Sequence, residues 1–91
     1  MTVEIRVQPS AYEAYLGGER VGELGYHMGA GVVTATHTEV SPAVEGQGIG
    51  SSLARRFLDD ARARGDVVIP LCPFVRGWIA GHPDYADLVA S

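Results

Sequence analysis

The stretch Val40-Ser41-Pro42-Ala43-Val44-Glu45-Gly46-Gln47-Gly48-Ile49-Gly50-Ser51 does most to decide what this chain becomes. It joins a β-branched run, Val32 to Val40, to an amphipathic one that continues to about Gly65. Glycines at alternate positions, where strand gives way to helix, let several backbone N–H groups approach a ligand with no Cβ in the way. The helix start behind them adds unpaired N–H groups and the positive end of its dipole. Such a turn suits a phosphate or a diphosphate. Two common phosphate loops fit it poorly. A P-loop needs a lysine, and the chain has none. A Rossmann fingerprint needs a third glycine where Ser51 stands, and the run ahead of the turn reads as antiparallel rather than as the opening of a βαβ unit.

Upstream of the turn the pattern is a meander. Thr2 to Gln8 alternates Val3, Ile5 and Val7 with Glu4, Arg6 and Gln8, which predicts a half-buried strand. Ala11 to Leu16 is a second strand, and Gly17-Gly18 a two-residue hairpin turn. Glu19 to Met28 offers Val21, Leu24, Tyr26 and Met28 to a buried face, with Gly25 interrupting it. Gly29-Ala30-Gly31 then turns the chain into Val32–Val40. A period of two puts Val33, Ala35, His37 and Glu39 on one face of this fourth strand and Val32, Thr34, Thr36, Thr38 and Val40 on the other. His37 and Glu39 then stand about 7 Å apart along the strand. They can act as a proton-handling pair, or be a hydrogen-bonded strand histidine beside a solvated carboxylate.

Downstream, Ile49, Leu53, Phe57 and Ala61, widened by Ala54 and Leu58, make the apolar stripe of a helix that Gly65 ends. Val67-Val68-Ile69 is a short buried strand, so strand, helix and strand imply a right-handed crossover and parallel pairing. Pro70 and Pro73 bracket Leu71-Cys72 and should stop that pairing, freeing backbone groups for a ligand. Phe74, Val75, Trp78 and Ile79 share one face of a further helix, with Trp78 and Ile79 read as core. His82-Pro83 breaks it before a last short helix carrying Tyr85, Leu88 and Val89. Arg55, Arg56 and Arg76 are read as a solvated face.

Ninety-one residues allow one domain, spanning 1–91. All seven basic residues are arginines against eleven acids, and the net charge of −4 argues against a nucleic-acid partner held on a basic face. One cysteine allows no internal disulfide, and no signal peptide or membrane-spanning run is visible. The expectation is a soluble cytoplasmic domain without a metal or a membrane partner, monomeric or a weak homodimer.

Val40, Pro42, Gly48 and Gly50 match the acetyl-CoA signature V-x-P-x-x-[QR]-x-x-G-x-[GA] of the GCN5-related N-acetyltransferases, with Glu45 in the slot of the usual Gln or Arg. Thr36-His37-Thr38-Glu39-Val40, Leu71-Cys72-Pro73-Phe74, Trp78-Ile79 and His82-Pro83-Asp84-Tyr85 further resemble the small single-domain, YjdJ-type branch of that superfamily. The resemblance implies an α+β fold: a mixed, mainly antiparallel five-stranded sheet with one β-α-β crossover helix and short C-terminal helices. It also implies that the fourth and fifth strands splay and take the pantetheine arm of CoA between them. Acetyl-CoA would then be held by Thr38, Glu39 and Val40, by Glu45, Gly46, Gln47, Gly48, Ile49, Gly50 and Ser51, and by Cys72, Pro73 and Phe74.

The implied function is acetyl transfer from acetyl-CoA to an amine, either a protein amine or a small polyamine. The alternative is a non-catalytic CoA-binding module that acts through a partner protein. Backbone N–H groups near Thr38 to Val40 can polarise the thioester carbonyl. His37 is the candidate base, and Glu39 can replace it through a water. Cys72 either protonates the leaving thiolate, takes the acetyl group as a nucleophile activated by His37, or is a small apolar core residue. Tyr85 is a further candidate proton donor. Because the chain ends soon after the fifth strand, an acceptor site that is shallow, or completed by a partner subunit or protein, is expected.

Overall fold

The computed structural model describes residues 2–90. Five strands form one sheet in sequence order: β1 (Glu4–Val7), β2 (Ala11–Leu16), β3 (Glu19–Gly29), β4 (Val32–Val40) and β5 (Val67–Pro70). Neighbours β1 to β4 pair antiparallel. β4 and β5 are parallel, joined by the crossover helix α1 (Ile49–Arg64). Helix α2 (Pro73–Ala80) and a 3₁₀ segment (Pro83–Leu88) follow, and Val89 bridges to Val68. This is the mixed α+β arrangement that the sequence implies.

The hairpins form where backbone sterics allow them. Gly17 and Gly18 sit at φ 56° and 82°, both left-handed, which matches the twist of the paired strands. The next turn places Ala30 at φ 40° before Gly31 at 80°. α1 lays Leu53, Phe57 and Ala61 on one face of the sheet, and all three are fully buried. The Phe57 ring meets Tyr12 edge-on, with centroids 5.6 Å apart, and Tyr12 packs on Tyr26 at 5.2 Å. Burying each such side chain contributes about 1.5–3 kcal/mol. Gly22 lets the helix come close, because a Cβ there would lie 3.3 Å from Ile49 and 3.1 Å from the Glu39 carbonyl oxygen.

Three sequence expectations are corrected. Of the strand read as buried, Val67 to Ile69, only Val68 is, with Val67 and Ile69 exposed on the other face of the sheet edge. Met28 is 51% exposed, since it lies at the end of β3 beyond the reach of α1. The strict alternation along β4 also fails. Gly25 pairs with His37 but Tyr26 pairs with Ala35, so Thr36 is an extra, bulged residue. The bulge shifts the phase: Val33 and Ala35 share the α1 face with Thr38 and Val40, while His37 and Glu39 turn to the opposite face. Gly25 now has a reason. A Cβ on it would lie 2.2 Å from His37 Cε1, so the glycine makes room for the imidazole across the ladder.

Candidate functional site

The site begins where β4 and β5 part. Their pairing stops at Ala35 opposite Pro70, and the Cys72 N–H closes the junction on the Ala35 carbonyl at 3.0 Å. Pro70 and Pro73 have no N–H to continue the ladder, and the chain turns into α2. β4 runs on to Val40 with its outer edge free of β5. The bulge at Thr36 lies directly at the parting, where added twist aims Thr38 toward Cys72; Thr38 Oγ1 and Cys72 Sγ are 3.2 Å apart.

The second wall is the glycine turn. After a 3₁₀ turn (Pro42–Val44), Gly46 and Gly48 adopt φ 85° and 79°, a conformation that side chains bearing a Cβ resist. Gly48 caps α1 with no side-chain hydrogen bond, and the first turn carries no carboxylate. The orphan N–H groups and the positive helix end therefore stay available to an anion. Gly50 serves a different purpose: a Cβ there would lie 2.8 Å from Phe74 Cζ, so the glycine seats that ring against α1. Between the walls lies a cleft of about 670 Å³, bounded by Thr38 and Val40, the turn 42–51, Phe74, Trp78 and His82.

Nine of the residues expected to hold the coenzyme line this cleft: Thr38, Val40, Glu45, Gly46, Gly48, Ile49, Gly50, Ser51 and Phe74. The rest are placed elsewhere. Glu39 points to the opposite sheet face, Gln47 spends its N–H on the Val44 carbonyl, and Pro73 opens α2 beside the buried Cys72, whose sulfur touches Thr38. Phe74 is 43% exposed to the cleft rather than packed with Val75, Trp78 and Ile79.

The structure does not bring His37 and Cys72 together. They lie on opposite faces of the sheet, with Cys72 only 2% exposed on the α1 side. His37 Nε2 is 2.6 Å from Glu23 Oε2, and Nδ1 is 3.2 Å from Thr36 Oγ1. A carboxylate only accepts, so Nε2 carries the proton and Nδ1 presents the lone pair. Glu23 also pairs with Arg20, which ties this small cluster to β3. Tyr85 is buried away from the cleft, donating to Asp59 at 2.7 Å, and that hydrogen bond, with burial, holds its phenol above the usual range. Arg55 reaches the Tyr85 hydroxyl and Arg56 pairs with Asp60, so neither lines the cleft.

The sequence reading left out Pro42 and Val44, assigned Trp78 wholly to the core, and took His82 as a helix breaker. Trp78 is buried, yet its indole N–H reaches Ser51 Oγ at the mouth of the turn, at 2.8 Å. His82 lies four residues after Trp78, the helical spacing that stacks side chains, and that spacing was the available signal.

The family model described as GCN5-related N-acetyl-transferase matches residues 11–88. No curated protein matches the chain. Among solved structures, a GCN5-like protein from Staphylococcus aureus gives a TM-score of 0.77 at 22% identity, covering 97% of this chain and 88% of its own. The ribosomal-protein-alanine N-acetyltransferase of Brucella melitensis biovar Abortus 2308 gives 0.61 at 22% identity, covering 92% and 64%. The ribosomal-protein-S18-alanine N-acetyltransferase of Escherichia coli gives 0.62 at 17% identity, covering 69% of this chain and 42% of the enzyme. The chain thus spans less than half of that last protein. These likenesses establish the fold. The match over residues 11–88 goes further, and by it the chain belongs to the GCN5-related N-acetyltransferase family.

Proposed function

We propose that the protein is an N-acetyltransferase that uses acetyl-CoA and an amine acceptor, acting in the cytoplasm. The observation that carries this reading is the pairing of an uncapped helix start behind left-handed Gly46 and Gly48 with a strand edge left free at the β4–β5 parting. The donor set fits the coenzyme. Backbone N–H groups of the turn suit a diphosphate, and beside Gly46 and Gly48 the space a Cβ would take is open, with nothing within 4 Å. Acetyl-CoA, when bound, supplies the activated acetyl thioester.

The chain's own groups divide the remaining work. The free edge of β4 between Thr38 and Val40 offers main-chain N–H groups to a carbonyl oxygen. Cys72 lies outside the cleft lining but touches Thr38, which lines it, and is read as the proton donor to a departing thiolate. This role suits it better than that of a nucleophile activated by His37, which lies on the other face of the sheet. His37, oriented by Glu23, can take the proton of an amine arriving from that open face through Nδ1. Glu39 on the same face can do so through a water, whereas Tyr85 is engaged by Asp59. The acceptor is read as a protein amine or a small polyamine.

Release of free thiol from acetyl-CoA, followed against a panel of primary amines and amino-terminal peptides, tests the reading. Acceptor-dependent release above background, lowered in Cys72→Ala and His37→Gln, is expected. CoA binding with no acceptor-dependent release across the panel would instead support a binding module that works through a partner.

A further inference from the structure

His82 is a titratable cleft residue that neither the glycine turn nor the chemistry above uses. Its Nδ1 lies 2.7 Å from the Trp78 carbonyl oxygen. A carbonyl only accepts, so Nδ1 carries a proton and Nε2 is the atom left for a ligand. The imidazole lies flat on the Trp78 ring, with centroids 3.7 Å apart and planes within 10° of parallel. Trp78 in turn donates its indole N–H to Ser51 Oγ at 2.8 Å. Because that oxygen is accepting, the Ser51 O–H is left to donate. Ser51, Trp78 and His82 all line the same cleft, so helix start, indole and imidazole form one hydrogen-bonded and stacked wall. Arg55 adds positive charge to it, its guanidinium carbon 5.3 Å from the Trp78 ring centroid.

Position along the cleft decides what this wall meets. α2, eight residues and about 12 Å long at 1.5 Å per residue, separates Cys72 at its start from His82 just past its end. His82 is therefore remote from the Thr38–Cys72 contact and belongs with the first turn of α1. A group there faces the nucleotide end of the coenzyme rather than the reacting carbonyl.

We propose that His82 is a phosphate-contacting residue, binding as the doubly protonated ring, so that Nδ1–H stays on the Trp78 carbonyl while Nε2–H and the Ser51 O–H grip a phosphate of the coenzyme's nucleotide and Trp78 sets the position of both. This inference rests on the acetyl-CoA reading above. Calorimetric titration of the wild type, His82→Phe and His82→Gln with CoA, dephospho-CoA and pantetheine tests it. Phe keeps a ring on Trp78 without nitrogens, and Gln removes the ring while retaining an N–H for the carbonyl. Thermal melts of the unliganded variants establish folding, and Gln carries the test should Phe fail there.

The expected result is about a tenfold loss of CoA affinity in the folded variants with pantetheine unchanged. An equal loss for dephospho-CoA assigns the diphosphate, and a loss confined to CoA assigns the 3′-phosphate; each supports the proposal. Unchanged CoA affinity, or a parallel loss for pantetheine, overturns it. A wild type that binds none of the three ligands removes the acetyl-CoA reading itself, a result separate from any failure of His82.

Discussion

Gly48 and Gly18 permit a matched experiment on the proposed binding turn. Their φ angles are 79° and 82°, and a Cβ built on either meets nothing within 4 Å. An alanine at either position therefore pays for backbone strain alone, about 1–2 kcal/mol. For a domain of this size that lowers the melting temperature by roughly 4–16 °C. Gly18 lies in the β2–β3 hairpin, whereas Gly48 lines the cleft and caps α1. Gly18→Ala and Gly48→Ala are thus expected to lose similar stability. Only Gly48→Ala should lose CoA affinity, by about tenfold or more, because its new Cβ occupies space that a diphosphate must enter to reach the amides. Thermal denaturation and calorimetric titration read the two quantities separately. The reasoning is refuted if Gly48→Ala melts early yet binds CoA as tightly as Gly18→Ala.

Other substitutions probe the surrounding frame. Leu53→Ala, at a fully buried position in the middle of α1, should cost about 2–5 kcal/mol in urea denaturation; a loss below 1 kcal/mol would contradict the packing of α1 on the sheet. Tyr12 has its phenol raised from 10.0 to about 12, first by burial and then by the hydrogen bond to Asp60. Its neutral form is favoured in the fold, so that contribution is complete below about pH 10 and lost as pH climbs toward about 12, amounting to about 2 kcal/mol. Urea midpoints at pH 8 and above pH 11 should diverge in the wild type and much less in Tyr12→Phe; identical alkaline loss in both removes Tyr12 as the cause. Gly25→Ala should push the His37 ring off Glu23, since the added Cβ would lie 2.2 Å from Cε1. Acetyl transfer should then fall with CoA affinity unchanged, and an unaltered rate would exclude His37 as the base.

Much of the frame was legible because local signals agreed with one another. Gly17-Gly18, the β-branched run Val32–Val40, the α1 stripe ending at Gly65 and Pro70 and Pro73, which bracket the exit from β5, each found the element expected of them. What escaped was set by contacts between elements. The Thr36 bulge arises from register against β3, which a period of two cannot encode, and it moved His37 and Glu39 to the other face from Val33 and Ala35. For the same reason Gly25 looked like a flaw in a strand rather than a seat for an imidazole. In the cleft, the glycine turn was readable from backbone sterics alone. Trp78 and His82 were not, because composition assigns a tryptophan to the core and a His-Pro pair to a break, and only the fold turns one indole N–H toward Ser51.

Amide chemical shifts of ¹⁵N-labelled protein, followed as CoA is added, test the central claim at the atoms concerned. The account expects the largest, saturable shifts at the backbone N–H groups of Gly46, Gly48, Ile49, Gly50 and Ser51, with smaller ones along Thr38 to Val40. Saturation with those amides unmoved, or shifts confined to the open face around Glu23 and His37, would contradict it.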